Sequence, residues 1–215
     1  MKSAWWRLPL GVASVVACAG RAPESRSPTP RPTATPAPSP AAAAATLDEM
    51  LRSDMAPHRG IPWLAGRPLR WSDFQGTPPQ GGEEAAKTAY GIYYAWKCRG
   101  GAFEFRVVAA FHPRESWVQA AVLGDSSGSP RVLAHEQTHL NIAELYAQRL
   151  RAHFRQVANP CHRSDTDLAM EAQRLVDEEK AMQRRYDAET GHGLRRREQA
   201  EWEAEIARRL HVAGE

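Results

Sequence analysis

His135-Glu136-Gln137-Thr138-His139 stands inside a longer run from Ser129 to Tyr146, and how that run is read decides the rest of the chain. Its residues His135, His139, Ile142 and Tyr146 recur every three or four positions. That spacing predicts a helix with one face turned into the protein. Ser129 as N-cap and Pro130 at the first helical position open the helix, and Asn159-Pro160 closes it. Two histidines four apart on one helical face can hold a single Zn²⁺, with Glu136 about 100° around the helix beside them. Zinc takes neutral imidazole nitrogens and keeps a position open for water, and a carboxylate must be near to accept that water's proton. Burying two imidazoles without polar partners would be costly, which favours the metal reading. The motif provides two ligands and a base, and the third ligand has to come from elsewhere.

Glu144 is the nearest carboxylate, but nine residues after His135 places it about 180° around the helix, away from the ion. His153 lies far along the same helix at 1.5 Å per residue, and His162 sits beside Cys161 in a loop. His192 stands between Gly191 and Gly193 at a break between helices, where backbone approaches another element closely. It is the first candidate for a ligand from a separate segment, and Glu189 is the second. Tyr186 is a candidate catalytic residue, reaching the activated water or an oxyanion, with core packing as the alternative.

Outward from the motif, Ala89 to Lys97 alternates Tyr90, Ile92, Tyr94 and Trp96 with smaller or more polar residues. Phe103 to Phe111 places Phe103, Phe105, Val107, Ala109 and Phe111 on one face. Both read as half-buried strands, and Arg99-Gly100-Gly101 suits the hairpin turn between them. Leu69-Arg70-Trp71 and Ser116 to Leu123 read as further short strands, and Leu47 to Met55 as a short helix. Beyond the motif, Ser164 caps a helix whose Leu168, Ala172, Leu175, Met182 and Tyr186 face inward, and Gly191-His192-Gly193 breaks it. A last helix carries Trp202, Ile206 and Leu210 one turn apart. The expected fold is α+β, a small antiparallel sheet followed by the long motif helix and two further helices.

The N-terminal quarter is of another kind. Lys2 and Arg7, the apolar run Leu8 to Val16, and Cys18 give residues 1–18 the form of a bacterial secretory signal, too short to span a membrane. The small residues ending in Cys18 resemble a lipobox, which would make Cys18 a lipid anchor in the cell envelope, in the outer membrane where the cell has two; the alternative is a plain cleaved signal and secretion. Residues 19–46 are rich in Pro and Ala, with Pro28, Pro30, Pro32, Pro36, Pro38 and Pro40, and read as an extended stalk without a core. Residues 47–215 form one domain. Cys98 and Cys161 then remain as a pair, and in an oxidising compartment the expectation is a disulfide, with two free thiols as the alternative. The formal net charge is +3 over 215 residues, and removing Lys2 and Arg7 leaves about +1. A chain so near neutrality has no electrostatic footing for a nucleic-acid partner.

Four blocks occur in order: Leu69-Arg70-Trp71-Ser72-Asp73-Phe74-Gln75-Gly76; Ser116-Trp117-Val118; Leu133 to Glu144; and Tyr186-Asp187-Ala188-Glu189-Thr190-Gly191-His192-Gly193. With Gln199 and Trp202 they resemble a bacterial secreted family, domain of unknown function 922, described as zinc-dependent proteases. The resemblance implies a zincin-like peptidase and supports His192, which lies in the last block. The signal and the stalk lie outside it. The reading that follows is a tethered zinc metallopeptidase with His135, His139 and His192 as ligands, Glu136 as general base and a peptide or protein as substrate. The alternatives are an envelope lipoprotein with a structural or vestigial metal site, or a metal-dependent amidase acting on cell-wall material.

Overall fold

A computed structural model of the protein describes residues 45–81 and 84–213. The expected signal, and the stalk up to residue 44, lie outside the described residues.

Thr46 opens helix α1, Leu47–Met55. Its hydroxyl accepts from Glu49 N at 3.2 Å while the Glu49 carboxylate accepts from Thr46 N at 2.7 Å, a reciprocal cap. Strands β1 (Ile61–Pro62), β2 (Ala86–Lys87), β3 (Tyr90–Arg99), β4 (Ala102–Phe111) and β5 (Trp117–Val118) follow. β3 and β4 pair along their full length, with Arg99 opposite Ala102. Gly100 and Gly101 between them have φ of 57° and 83°. Two successive positive φ values make the tight turn that matches strand twist, and only glycine takes them without strain. β1 pairs with the other edge of β4, giving an antiparallel sheet in the order β1-β4-β3, while β2 and β5 form a separate two-stranded sheet.

The period of two along β4 divides the interior. Ala110, with Ala95 of β3, packs on Leu47, Leu51 and Met55 of α1. Val107 and Ala109 face the other way, onto the long helix α3, Ser129–Gln156, through Ala143, Ala147, Leu150 and Phe154. Alanines at Ala143 and Ala147 let the helix lie close on the strand, where larger side chains would hold it off. Helix α4, Asp165–Thr190, is capped by the Ser164 hydroxyl, which accepts from Asp167 N at 3.1 Å, and adds Ala172 and Leu175 to that core. Helix α5, Arg196–Ala213, brings Trp202, Ile206 and Leu210 onto Ile142, Leu145, Tyr146 and Tyr186. The fold is α+β, with small antiparallel sheets and helices that dominate the C-terminal half. Cys98 at the end of β3 is joined to Cys161 before α4, with Cα atoms 5.7 Å apart. Among the described residues no helix is long and apolar enough to cross a membrane.

Three local expectations are corrected. Leu69 to Trp71 is not a strand; Trp71–Asp73 is a turn of 3-10 helix, because the Asp73 carboxylate accepts from Arg70 N at 2.9 Å and curls the backbone. Ser116 to Leu123 pairs only through Trp117 and Val118, and Ala120–Gly124 is the short helix α2. A brief apolar run fits either state, and here the strand partner is just two residues long. Finally, the cap of α3 is Gly128, and the Ser129 hydroxyl accepts instead from Trp71 Nε1 at 2.7 Å. The helix stops at Gln156, ahead of Asn159, whose φ is 47°.

Candidate metal centre

One turn of α3 separates His135 from His139, and their Nε2 atoms stand 3.2 Å apart. α4 crosses beside them and supplies Asp187, whose Oδ1 lies 3.3 Å from His135 Nε2 and 3.1 Å from His139 Nε2. The three donor atoms make a nearly equilateral triangle. A tetrahedral ion with bonds of about 2.0–2.1 Å separates its ligand atoms by roughly 3.3 Å, so these residues fit a zinc-sized cation and leave a fourth position. Two imidazoles and one carboxylate are also the donor set of a borderline divalent metal.

α4 also orients the ring of His139. Gln183, one turn before Asp187, sets its Oε1 2.7 Å from His139 Nδ1. With the proton on Nδ1, His139 donates to Gln183 and presents the lone pair of Nε2 to the cluster. The Gln183 amide donates in turn to the His139 carbonyl at 2.9 Å and to Glu179 Oε1 at 2.6 Å. Burial pushes the Glu179 carboxyl up, against the hydrogen bonds from Gln183 and Tyr90.

The charges are arranged to match. Burial disfavours the ionised Asp187, but hydrogen bonds from His135 and His139 outweigh it and hold the carboxyl well below the usual range. Burial acts against protonated His139, yet the hydrogen bond to Asp187 and the charge of Glu136 raise its pKa. The centre therefore attracts positive charge. Among the described residues, two buried atoms beside it, His135 Nδ1 and Glu136 Oε2, have no hydrogen-bond partner. Glu136 itself is 3% exposed, and its carbonyl accepts from Thr88 Oγ1 of the β2–β3 connection at 3.3 Å. A carboxylate oxygen buried without a donor is costly, and such a group is expected where charge or a proton is to be met.

Tyr186 is fully buried, stacked on the His135 ring with centroids 4.7 Å apart. Its hydroxyl donates to the His135 carbonyl at 3.4 Å, toward the α3 backbone. Burial pushes its phenol up. The structure thus gives Tyr186 a packing position under the histidines, with its hydroxyl engaged inside. His192 does not join the triangle. Gly191, His192 and Gly193 have φ of 57°, 54° and 79°, and this left-handed turn swings the His192 side chain outward. It is 74% exposed, with Nδ1 3.9 Å from Asp187 Oδ1. Glu189 is turned away as well, accepting from Arg185 and from Trp202 Nε1 at 2.8 Å. Glu144 pairs with Arg151 at 2.7 Å on the side of α3 next to the Val107 carbonyl. Gly193 lies flat over His135: a Cβ there would stand 3.2 Å from the ring.

Asp187 is marked in the sequence only weakly. Its signal is the row Glu179, Gln183, Asp187, polar residues four apart alongside an apolar stripe, which puts them on one line of a helix.

A family model described as a bacterial protein of unknown function (DUF922) matches residues 73–193. That stretch contains the motif, Gln183, Asp187 and His192. No curated protein and no solved structure matches the chain.

Proposed function

The chain belongs to that bacterial family of unknown function, DUF922, and on that premise we propose that it is an extracytoplasmic zinc metallopeptidase with His135, His139 and Asp187 as its ligands. The observation that carries the reading is the triangle of donor atoms at 3.1–3.3 Å beside a buried carboxylate oxygen without a partner. Bound there, Zn²⁺ would supply a Lewis acid that lowers the pKa of a water towards neutrality and polarises a carbonyl. Glu136 accepts the proton of the attacking water and passes it to the leaving amine. Gln183 fixes the tautomer of His139, and Asp187 supplies the negative charge that two neutral imidazoles lack. Three protein ligands with an open fourth position are the arrangement of a catalytic ion; a structural one is closed by four. Donors for the oxyanion come from the open side, where His192 is the exposed imidazole on the rim. β3 is the outer strand of its sheet, and such an edge suits an extended peptide added as a further strand.

The disulfide between Cys98 and Cys161 fits an oxidising compartment, in keeping with export and with a lipid anchor at Cys18. The deciding experiment is Glu136→Gln. It is expected to retain zinc and to abolish cleavage of a peptide library, since it removes the base and leaves the ligands in place. Undiminished turnover would refute the mechanism.

A further inference from the structure

We propose that the chain holds a second divalent-metal site, made by His58, His112 and Glu115, which takes Zn²⁺ and clamps the end of α1 to the end of β4. The inference does not rest on the peptidase reading. His58 lies in the 3-10 turn Ala56–His58 that follows α1, and His112 is the residue after β4. Glu115 comes one tight turn later, its N–H donating to the His112 carbonyl at 3.2 Å. The two imidazoles stack face to face, centroids 4.3 Å apart and planes 12° from parallel. Both turn Nδ1 to the same carboxylate: His58 to Glu115 Oε1 in a very close contact, and His112 to Oε2 at 3.5 Å. One ligand atom from each of the three residues lies within 4.8 Å of the other two.

The second nitrogen of His112 is engaged as a ligating imidazole requires. Its Nε2 lies 2.7 Å from the Tyr93 hydroxyl. With Nε2–H donating to Tyr93, the Nδ1 lone pair faces the carboxylate and His58. The sequence makes room for this contact. A Cβ on Gly91 would stand 2.9 Å from the Tyr93 ring and 3.1 Å from His112 Nε2. His112 is buried, 6% exposed, while His58 and Glu115 are 37% and 39% exposed on their side chains. The site thus has a fixed inner ligand and two outer ones reachable from solvent. Each ring could donate an Nδ1–H to its own oxygen of Glu115, but once the Nε2–H of His112 donates to Tyr93 its Nδ1 is a lone pair set against a carboxylate oxygen, acceptor against acceptor. A divalent cation on that edge satisfies both lone pairs and the carboxylate together. Two nitrogens and one oxygen suit zinc over calcium or magnesium, which take oxygen ligands.

The ion would bridge segments far apart in sequence. Residues 73–193, which match the family, include His112 and Glu115 but not His58. The clamp bears on the motif indirectly. Glu115 precedes Trp117 of β5, β5 pairs with β2, and Thr88 after β2 donates to the Glu136 carbonyl.

The test is zinc content of the full chain, stripped with chelator, reloaded with zinc sulfate, desalted and assayed by elemental analysis. Two equivalents are expected for the native chain and one for His58→Ala. Glu115→Gln, which keeps shape and an acceptor for His58, is expected to lose the same equivalent, which separates ligand loss from misfolding. The double variant His135→Ala/His139→Ala is expected to keep one equivalent and to gain thermal stability on adding zinc. A native chain that loads a single equivalent, lost in that double variant, overturns the proposal. So does an undiminished count in His58→Ala. One equivalent that disappears with His58→Ala but survives the double variant supports the clamp and defeats the catalytic centre instead.

Discussion

Asp187 Oδ1 stands 3.1 Å from His139 Nε2, and the same α4 helix holds the other nitrogen of that ring through Gln183. His139 is thus gripped from both sides by one helix, one turn apart, while its own helix sets its distance from His135. The ligand geometry rests on the packing of α4 against α3. It is as rigid as that helix pair, because Asp187, the third donor of the triangle, lies in the body of α4 and not in the loop after it.

The first prediction separates two candidates for the third ligand. Asp187→Ala removes a vertex of the triangle and is expected to weaken zinc binding by more than the roughly 10–100-fold that loss of an outer partner costs. His192→Ala is expected to leave the zinc content unchanged, since its imidazole is 74% exposed and lies outside the triangle, while lowering turnover through its place on the rim. Zinc titrated into each chelator-stripped variant gives the answer. Retention by Asp187→Ala together with loss in His192→Ala would restore the histidine as the ligand.

A second concerns orientation. Gln183→Leu fills similar space but gives His139 Nδ1 no acceptor and leaves the buried Glu179 without its 2.6 Å partner. Zinc affinity is expected to fall about 10–100-fold. The buried carboxyl, left with Tyr90 as its remaining donor, is expected to cost about 1 kcal/mol of stability. Denaturant melts with and without zinc distinguish the two effects.

The broad plan was legible because it is written in local periods. Alternation along Phe103 to Phe111 and the Gly100-Gly101 turn specify the hairpin, and the four-residue spacing of His135 and His139 specifies the helix and its face. The third donor of the triangle is harder to read. His192 drew attention as an imidazole between glycines, but those glycines let the backbone go left-handed and carry the side chain outward. Asp187 carries no such local mark, and only the crossing of α4 beside α3 reveals what it faces. His58, His112 and Glu115 were less legible still. A cluster assembled from the end of α1 and the end of β4 has no spacing to read, since its register is fixed by the sheet that joins them.

A third prediction tests the covalent link. The Cys98–Cys161 bond closes a loop of separation 63 that contains β4, β5 and the whole motif helix. Chain-entropy reasoning for a loop that long gives about 4 kcal/mol, and measured values centre on about 2–4 kcal/mol. Cys98→Ala/Cys161→Ala is expected to melt well below the native chain under oxidising conditions. Adding reductant should lower the native midpoint toward that of the variant. A midpoint indifferent to both changes would mean that the native chain carries free thiols.

The last prediction concerns acid. Burial, and secondarily the neighbouring His58, pull the His112 pKa down from 6.5 to about 4, against Glu115, which favours the charged ring. Tyr93 completes the surroundings, its hydroxyl on Nε2. A histidine whose pKa is depressed by folding binds its proton more readily in the unfolded chain. Its contribution is therefore complete above the unfolded value near 6.5 and is lost as pH falls toward 4. His139 works in the opposite sense, since its pKa is raised on folding, so the overall pH profile mixes the two. The comparison that isolates His112 is the slope of stability against pH, between about 6.5 and 4, in metal-free native chain and in His112→Gln. The native chain is expected to lose stability more steeply as the pH falls, because only it must force a proton onto a buried ring or unfold. Parallel slopes would mean that His112 is solvated in the folded protein, and that its packing between His58, Tyr93 and Glu115 is looser than the 4.3 Å stack requires.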